Sequence, residues 1–203
     1  MTIHLALIRH GPTDWNTEKR LQGRIDTHLS LAGRARVSGY RVPPAMMSFQ
    51  RYCSPMARAQ QTAQIVFGDG PWATAPELTE ISYGEWEGRI LSDLRQELGE
   101  EMRLNEARGL DFCAPGGESP RMVQARLAPL LQRWVQAGED VLAITHKGVI
   151  RAIYAWAAGW DMTGKIPDKL RWDAVHLFTL DAKGIPHVLQ LNAPLGATTQ
   201  GGS

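Results

Sequence analysis

The order of apolar and polar positions divides the chain into alternating strands and helices. Ile3–Ile8 is a short apolar run stopped by Gly11-Pro12, the pattern of a buried strand meeting a turn. A weak helix over Leu31–Arg41 ends at Pro43-Pro44, and Phe49–Cys53 reads as a second strand. Ser54-Pro55 then reads as an N-cap with proline in the first helical turn, followed by Met56, Ala59, Ala63 and Val66 on one apolar face. Ser119-Pro120 repeats that start before a longer helix carrying Val123, Leu127, Leu130 and Trp134 along one side, with Gly138 at its end and Pro129 predicted to kink it. Val141–Thr145 is a strand, Gly148–Ala158 a helix, and Val175–Leu180 and His187–Leu191 are late strands around Lys183-Gly184. Such alternation predicts the α/β class, a three-layer α/β/α sandwich around a mostly parallel sheet.

One stretch breaks the pattern. Residues 71–118 hold over half of the chain's 21 acids and read as a lid-like, partly helical insertion facing solvent. With 203 residues, the chain fits one domain over 1–203, and 196–203 reads as a disordered tail of small polar residues.

Charge removes several function classes. The 22 Lys and Arg against 21 Asp and Glu give a net +1, unlike the basic face that grips nucleic acid. The most apolar run, Val149–Trp160, is interrupted by Arg151 and is shorter than a membrane span of roughly 20 residues. Ile3–Ile8 is too short for a signal peptide's apolar core. Cys53 and Cys113 cannot form a disulfide framework, and no Cys/His spacing resembles a zinc site. The expectation is a cytoplasmic protein with no nucleic-acid or membrane partner, acting on a small molecule; a homodimer stays open.

Chemistry enters through the strand ends. In open α/β sheets, ligands bind beyond the carboxyl ends of the strands. The first strand runs into Arg9-His10-Gly11, the second into Ser54-Pro55 with Arg58 soon after, and the third into His146. Two arginines can hold phosphate oxygens bidentately and keep a neighbouring imidazole neutral, hence nucleophilic. Gly11 admits close backbone approach, and its amide could orient the ring. His146 could donate to the transferring oxygens, and arginines supply positive charge without a metal or other cofactor. A leaving alkoxide also needs an acid, and spacing leaves Glu80, Glu85 and Glu87 equally open. His4, His28, His176 and His187 carry no motif, and Trp134, Trp160 and Trp172 read as packing residues.

Arg9-His10-Gly11 with Thr13 and Trp15-Asn16, Leu21-Gln22-Gly23-Arg24, Ser54-Pro55 with Arg58, Leu78-x-Glu80, Pro115-Gly116-Gly117-Glu118 and Thr145-His146 form an ordered set. The set resembles the histidine phosphatase superfamily, with its phosphoglycerate mutase-like fold. That resemblance implies that His10 becomes phosphorylated, that Arg9, Arg58 and His146 form the phosphate pocket, and that Asn16 contacts phosphate. It further implies that Gln22 and Gly23 lie over the substrate and that Glu80 is the proton donor. Two positions depart from the pattern: Pro12 replaces a polar residue common there, and Lys147 stands where glycine is more usual.

Family mutases carry a longer, more basic insertion between the acid and Pro115-Gly116-Gly117. Here the segment from Gly88 to Ala114 is short and acidic. The expectation is therefore a phosphomonoester hydrolase. A phosphoglycerate mutase and a non-catalytic phospho-ligand binder are the alternatives.

Overall fold

The computed structural model describes residues 2–196, so all but Gly196 of the tail expected over 196–203 lies outside the described residues. Strands β1 (Ile3–Arg9), β2 (Gln50–Cys53), β3 (Ala73–Thr74), β4 (Val141–Thr145), β5 (Ala174–Leu180) and β6 (Pro186–Pro194) form one sheet. Their order is β3-β2-β4-β1-β5-β6. The β3–β2, β2–β4 and β4–β1 pairs are parallel, and β1–β5 and β5–β6 are antiparallel. The sheet is thus mostly parallel, with an antiparallel hairpin added at one edge.

Burial on both faces explains why the central strands read as unbroken apolar runs. Leu5, Leu7, Val141 and Ala143 pack with α6 (Pro120–Ala137) and α7 (Lys147–Ala158). Alternate residues Ala6, Ile8, Leu142 and Ile144 pack with Ala59, Ala63 and Phe67 of α3 (Ala57–Phe67) on the opposite face. This is the expected α/β/α sandwich. α1 (Asp14–Thr17) follows β1, and α2 (Leu31–Ser38) lies beside α3.

Local signals act as their chemistry requires at α6. Ser119 Oγ accepts from the Met122 amide at 3.2 Å, and Gly138 ends the helix in the left-handed region. The helix is continuous through Pro129. At Ser54 the reading is corrected. Helix α3 begins at Ala57 with Met56 as its cap, because the Ser54 amide is already bonded to the Ile144 carbonyl at 3.0 Å as an extension of the sheet.

Residues 71–118 also differ from a wholly solvent-facing insertion. β3 joins the sheet edge, and Leu78 and Ile81 belong to the core beneath α6. Only the later part stands apart, as α4 (Leu91–Leu98) and α5 (Glu100–Glu106) around a small core of Trp86, Leu94, Met102 and Ala114. A surplus of acids hid that core, because helices this short need only one apolar stripe.

The loop after β1 is held by α2. Ser30 caps that helix by accepting from the Gly33 amide at 3.0 Å, and its own amide donates to the Pro12 carbonyl at 3.1 Å. A Cβ at Gly33 would lie 1.9 Å from that same carbonyl oxygen, which belongs to backbone and cannot swing away. Gly33→Ala is expected to destabilise the fold by about 1–3 kcal/mol, the usual scale of an overpacked contact. Urea unfolding measures it; a midpoint equal to wild type would refute the close-approach argument.

Candidate active site

The register of the central strands brings the chemistry together. Arg9 pairs with Thr145, Cys53 pairs with Ile144, and all three strands point the same way. Their next residues, His10, Ser54 and His146, therefore emerge side by side. The rings of His10 and His146 lie with centroids 5.0 Å apart.

His10 is 3% exposed, and its Nδ1 lies 2.7 Å from the Gly11 carbonyl oxygen. A carbonyl only accepts, so Nδ1 carries the proton and the lone pair is on Nε2. The ring is therefore oriented by the Gly11 carbonyl rather than by its amide. The amide instead donates to Thr62 Oγ1 at 2.9 Å. Burial, then the charges of Arg9 and Arg58, holds the His10 pKa well below the ordinary imidazole value. His146 is depressed likewise, by burial and then by His10, Arg58 and Arg9. Both rings stay neutral where a free histidine would begin to ionise.

Arg58 is fully buried, and its guanidinium donates to the Gly23 carbonyl at 2.8 Å and the Ile25 carbonyl at 2.9 Å. It thereby fastens the 22–25 loop over the strand ends. The buried Nε atoms of Arg9 and Arg58 have no partner among the described residues. A buried donor without a partner is costly, so these groups point to an anion as the missing acceptor.

The structure separates the three acids that sequence spacing leaves equal. Glu85 is exposed. Glu87 accepts from the Arg24 amide at 2.9 Å and the Tyr83 amide at 3.1 Å, so it ties the 22–24 loop to the segment after Glu80. Glu80 is buried, and its carboxylate accepts from the Ile81 amide at 2.9 Å and the Gly148 amide at 3.0 Å. A Cβ at Gly148 would lie 2.5 Å from Glu80 Oε1, so the acid can meet the start of α7 only across a glycine. Its loop is fixed from both sides: Thr145 Oγ1 donates to the Leu78 carbonyl at 2.7 Å, and Arg126 Nη2 donates to the Thr79 carbonyl at 2.6 Å. Burial raises the Glu80 pKa against the opposing pull of the two amides, Arg58 and Arg9. It holds a proton above the ordinary carboxylate range.

A cavity of about 750 Å³ opens over this cluster. Arg9, His10, Asn16, Gln22, Gly23, Arg58 and Glu80 all line it. Asn16 also closes the α1 capping box, with its Oδ1 accepting from the Thr13 amide at 3.0 Å, which leaves its Nδ2 for a ligand. Gln22 Oε1 accepts from Thr27 Oγ1 at 2.7 Å. His146 is placed differently. Fully covered, it lies behind His10 rather than on the cavity wall, with Nε2 2.7 Å from Ser54 Oγ.

Sequence reasoning missed two supporting groups. Ser54 reads as a helix cap, and nothing in its neighbourhood reveals a bond to a residue 92 positions away. Thr62, one helical turn after Arg58, returns its hydroxyl proton to the Arg58 carbonyl while accepting from Gly11. Trp172, read as packing, does pack against the main core and also faces cations: Arg9 lies 5.7 Å from its ring centre and Lys147 5.4 Å.

Residues 5–191 match the histidine phosphatase superfamily, branch 1. The chain belongs to that superfamily. It is 31% identical to a 2,3-bisphosphoglycerate-dependent phosphoglycerate mutase of Brucella anthropi, over 95% of this chain and 94% of that one. Among solved structures, the alpha-ribazole phosphatase from Shigella flexneri superposes with a TM-score of 0.78 at 25% identity, covering 96% of this chain and 99% of that one. A phosphoserine phosphatase from Entamoeba histolytica, solved with 3-phosphoglyceric acid, gives 0.78 at 25% identity over 94% and 97%. The superfamily is enzymatic, and it includes both mutases and phosphatases. No helix among the described residues is long and apolar enough to cross a membrane.

Proposed function

We propose that this histidine phosphatase superfamily member hydrolyses phosphomonoesters of a small metabolite through a phosphohistidine on His10. The observation that carries the reading is the fixed tautomer of His10. Its Nε2 lone pair is set by the Gly11 carbonyl, inside a buried group of two arginines and a protonatable acid. Nε2 attacks phosphorus while the bond to the ester oxygen breaks, and the Glu80 proton passes to that oxygen, releasing the alcohol. Water then attacks the phosphoimidazole, Glu80 takes its proton back, and His10 and inorganic phosphate are regenerated. Arg9 and Arg58 spread the charge of the transferring group, the role a metal ion plays at other phosphoryl-transfer sites. His146 stands behind His10 as a second neutral ring, kept in place by Ser54.

Transfer to water rather than to a second hydroxyl is favoured by the lid. Arg95, the one α4 residue with a cation on the cavity wall, is neutralised by Glu106 at 2.7 Å. Arg89 and Arg103 pair with Glu97 and Glu100. Arg108, the remaining lid cation, does not line the cavity, so among the described residues the lid brings no spare cation to the cavity wall for a bisphosphorylated primer.

The mutase reading has its own support in the curated relative above, so one assay is set to choose. In EDTA, phosphate release from 3-phosphoglycerate and a panel of sugar and nucleoside monophosphates is expected, with no stimulation by 2,3-bisphosphoglycerate. Conversion to 2-phosphoglycerate that outpaces phosphate release would establish the mutase instead. A chain inert in both assays would be a binding module.

A further inference from the structure

The cavity is far larger than one phosphoryl group requires, and its outer wall is positively charged in an unusual way. Seven of its lining side chains are Lys or Arg, and only two, Glu80 and Glu106, are acids. Three of these cations are already engaged, Arg9 belongs to the cluster around His10, and Lys19 stands alone beyond α1. Arg58 serves two loop carbonyls, Arg20 bonds Glu18 and the Gly88 carbonyl, and Arg95 pairs with Glu106. Lys147 and Arg151 differ.

These two residues sit one turn apart on α7 and so present their side chains on the same helix face, about 6 Å apart along the axis. Neither has a carboxylate or carbonyl partner among the described residues. The Arg151 Nε is buried without a partner among those residues. What holds them is aromatic: Lys147 lies 5.4 Å from the centre of Trp172, and Arg151 lies 5.8 Å from that of Trp160. A ring face attracts a cation without neutralising it, so the charge remains for a ligand. Lys147 is also crowded. Burial, then Arg9 and Arg151, lowers its pKa, and an arriving anion would relieve that repulsion.

We infer that Lys147 and Arg151 form a second anion subsite, and that the substrate is a phosphomonoester bearing another anionic group, a carboxylate or a second phosphate. The inference rests on the phosphatase reading above and adds to it the class of substrate. The subsite stands on α7, a core helix, whereas among the described residues the lid contributes no spare cation to the cavity wall. Substrate would be gripped at both ends by rigid elements while the lid side stays open to water. The charge of Lys147 comes from one of the two positions at which this chain departs from the superfamily pattern.

The test compares matched substrates. 3-Phosphoglycerate and glycerol 3-phosphate differ by a carboxylate in place of a hydroxymethyl group. Propane-1,3-diol bisphosphate and its monophosphate differ by a second phosphate. In the full chain, the ratio of kcat/KM within at least one pair is expected to favour the member with the second anionic group by about tenfold to a hundredfold, the range of one or two charge-assisted hydrogen bonds. Which pair shows it identifies the group. The Lys147→Gln, Arg151→Gln double variant should bring that ratio to near one, and Lys147→Arg should keep it. Because the readout is a ratio, a general loss of activity or of folded protein does not imitate the result. A ratio near one in wild type, or one unchanged in the double variant, overturns the subsite. If p-nitrophenyl phosphate is hydrolysed in that case, the phosphatase reading survives alone. If it is not, both fall.

Discussion

Replacing His10 by alanine is expected to lower phosphate release by at least about 10³-fold, the loss that follows when a covalent nucleophile is deleted, and to leave the fold in place. Few interactions of the fold depend on this side chain, because its one hydrogen bond goes to the carbonyl of its neighbour Gly11. The Gly11 amide keeps its bond to Thr62, and α2 keeps its hold on the Pro12 carbonyl. The thermal midpoint is therefore expected to shift far less than activity does. Quenching a turnover mixture should trap one phosphoryl group per wild-type chain and none on His10→Ala. The bond should survive alkali and break in acid, because protonating a phosphoimidazole makes the ring a good leaving group. Label on His146 would reverse the roles of the two rings. Turnover in the alanine variant near the wild-type rate would end the covalent mechanism.

The reason to bet on His10 rather than His146 is structural and was only half legible in the sequence. Periodicity is enough to place β1, β4 and the helices between them, because strands buried on both faces must be apolar throughout. Position at a strand end is then enough to bring Arg9, His10 and His146 to one edge. What spacing could not supply was the partner of each ring, since those bonds join residues far apart in the chain or run to backbone. His10 meets a carbonyl and His146 meets the Ser54 hydroxyl. Ser54 looked like a cap because Ser-Pro before an apolar periodicity is the usual helix start, yet the sheet ladder claimed its amide first. The small core under α4 and α5 was masked by the surplus of charge around it. Trp160 and Trp172 pack as their residue type suggests, and only the tertiary structure shows that each also faces a cation.

The choice among acids shows how burial decides what spacing cannot, and it sets the second large effect. Glu80→Gln is expected to lower kcat for alkyl phosphomonoesters by about 10² to 10⁴-fold, the range of general acid catalysis. For p-nitrophenyl phosphate the loss should be much smaller, because the nitrophenolate departs without a proton. The amide side chain can still accept from Ile81 and Gly148 through its oxygen, so the loop beneath it should hold. The pH profile supplies an independent sign. The proposed mechanism needs His10 neutral and Glu80 protonated. The depressed His10 pKa keeps the nucleophile active below the ordinary imidazole range, and the raised Glu80 pKa sets where the rate with alkyl substrates falls as pH rises. The alkaline limb should disappear in Glu80→Gln while the acid limb stays. Glu85→Gln, an exposed change, should leave both limbs and the leaving-group dependence as in wild type. Glu87→Gln should act through the 22–24 loop that it ties down, raising KM with the alkaline limb retained. A Glu80→Gln profile that keeps its alkaline limb, or a loss equal for alkyl and nitrophenyl substrates, would move the proton donor elsewhere. The fixed contact between the Glu80 carboxyl and the start of α7 would then be structural only.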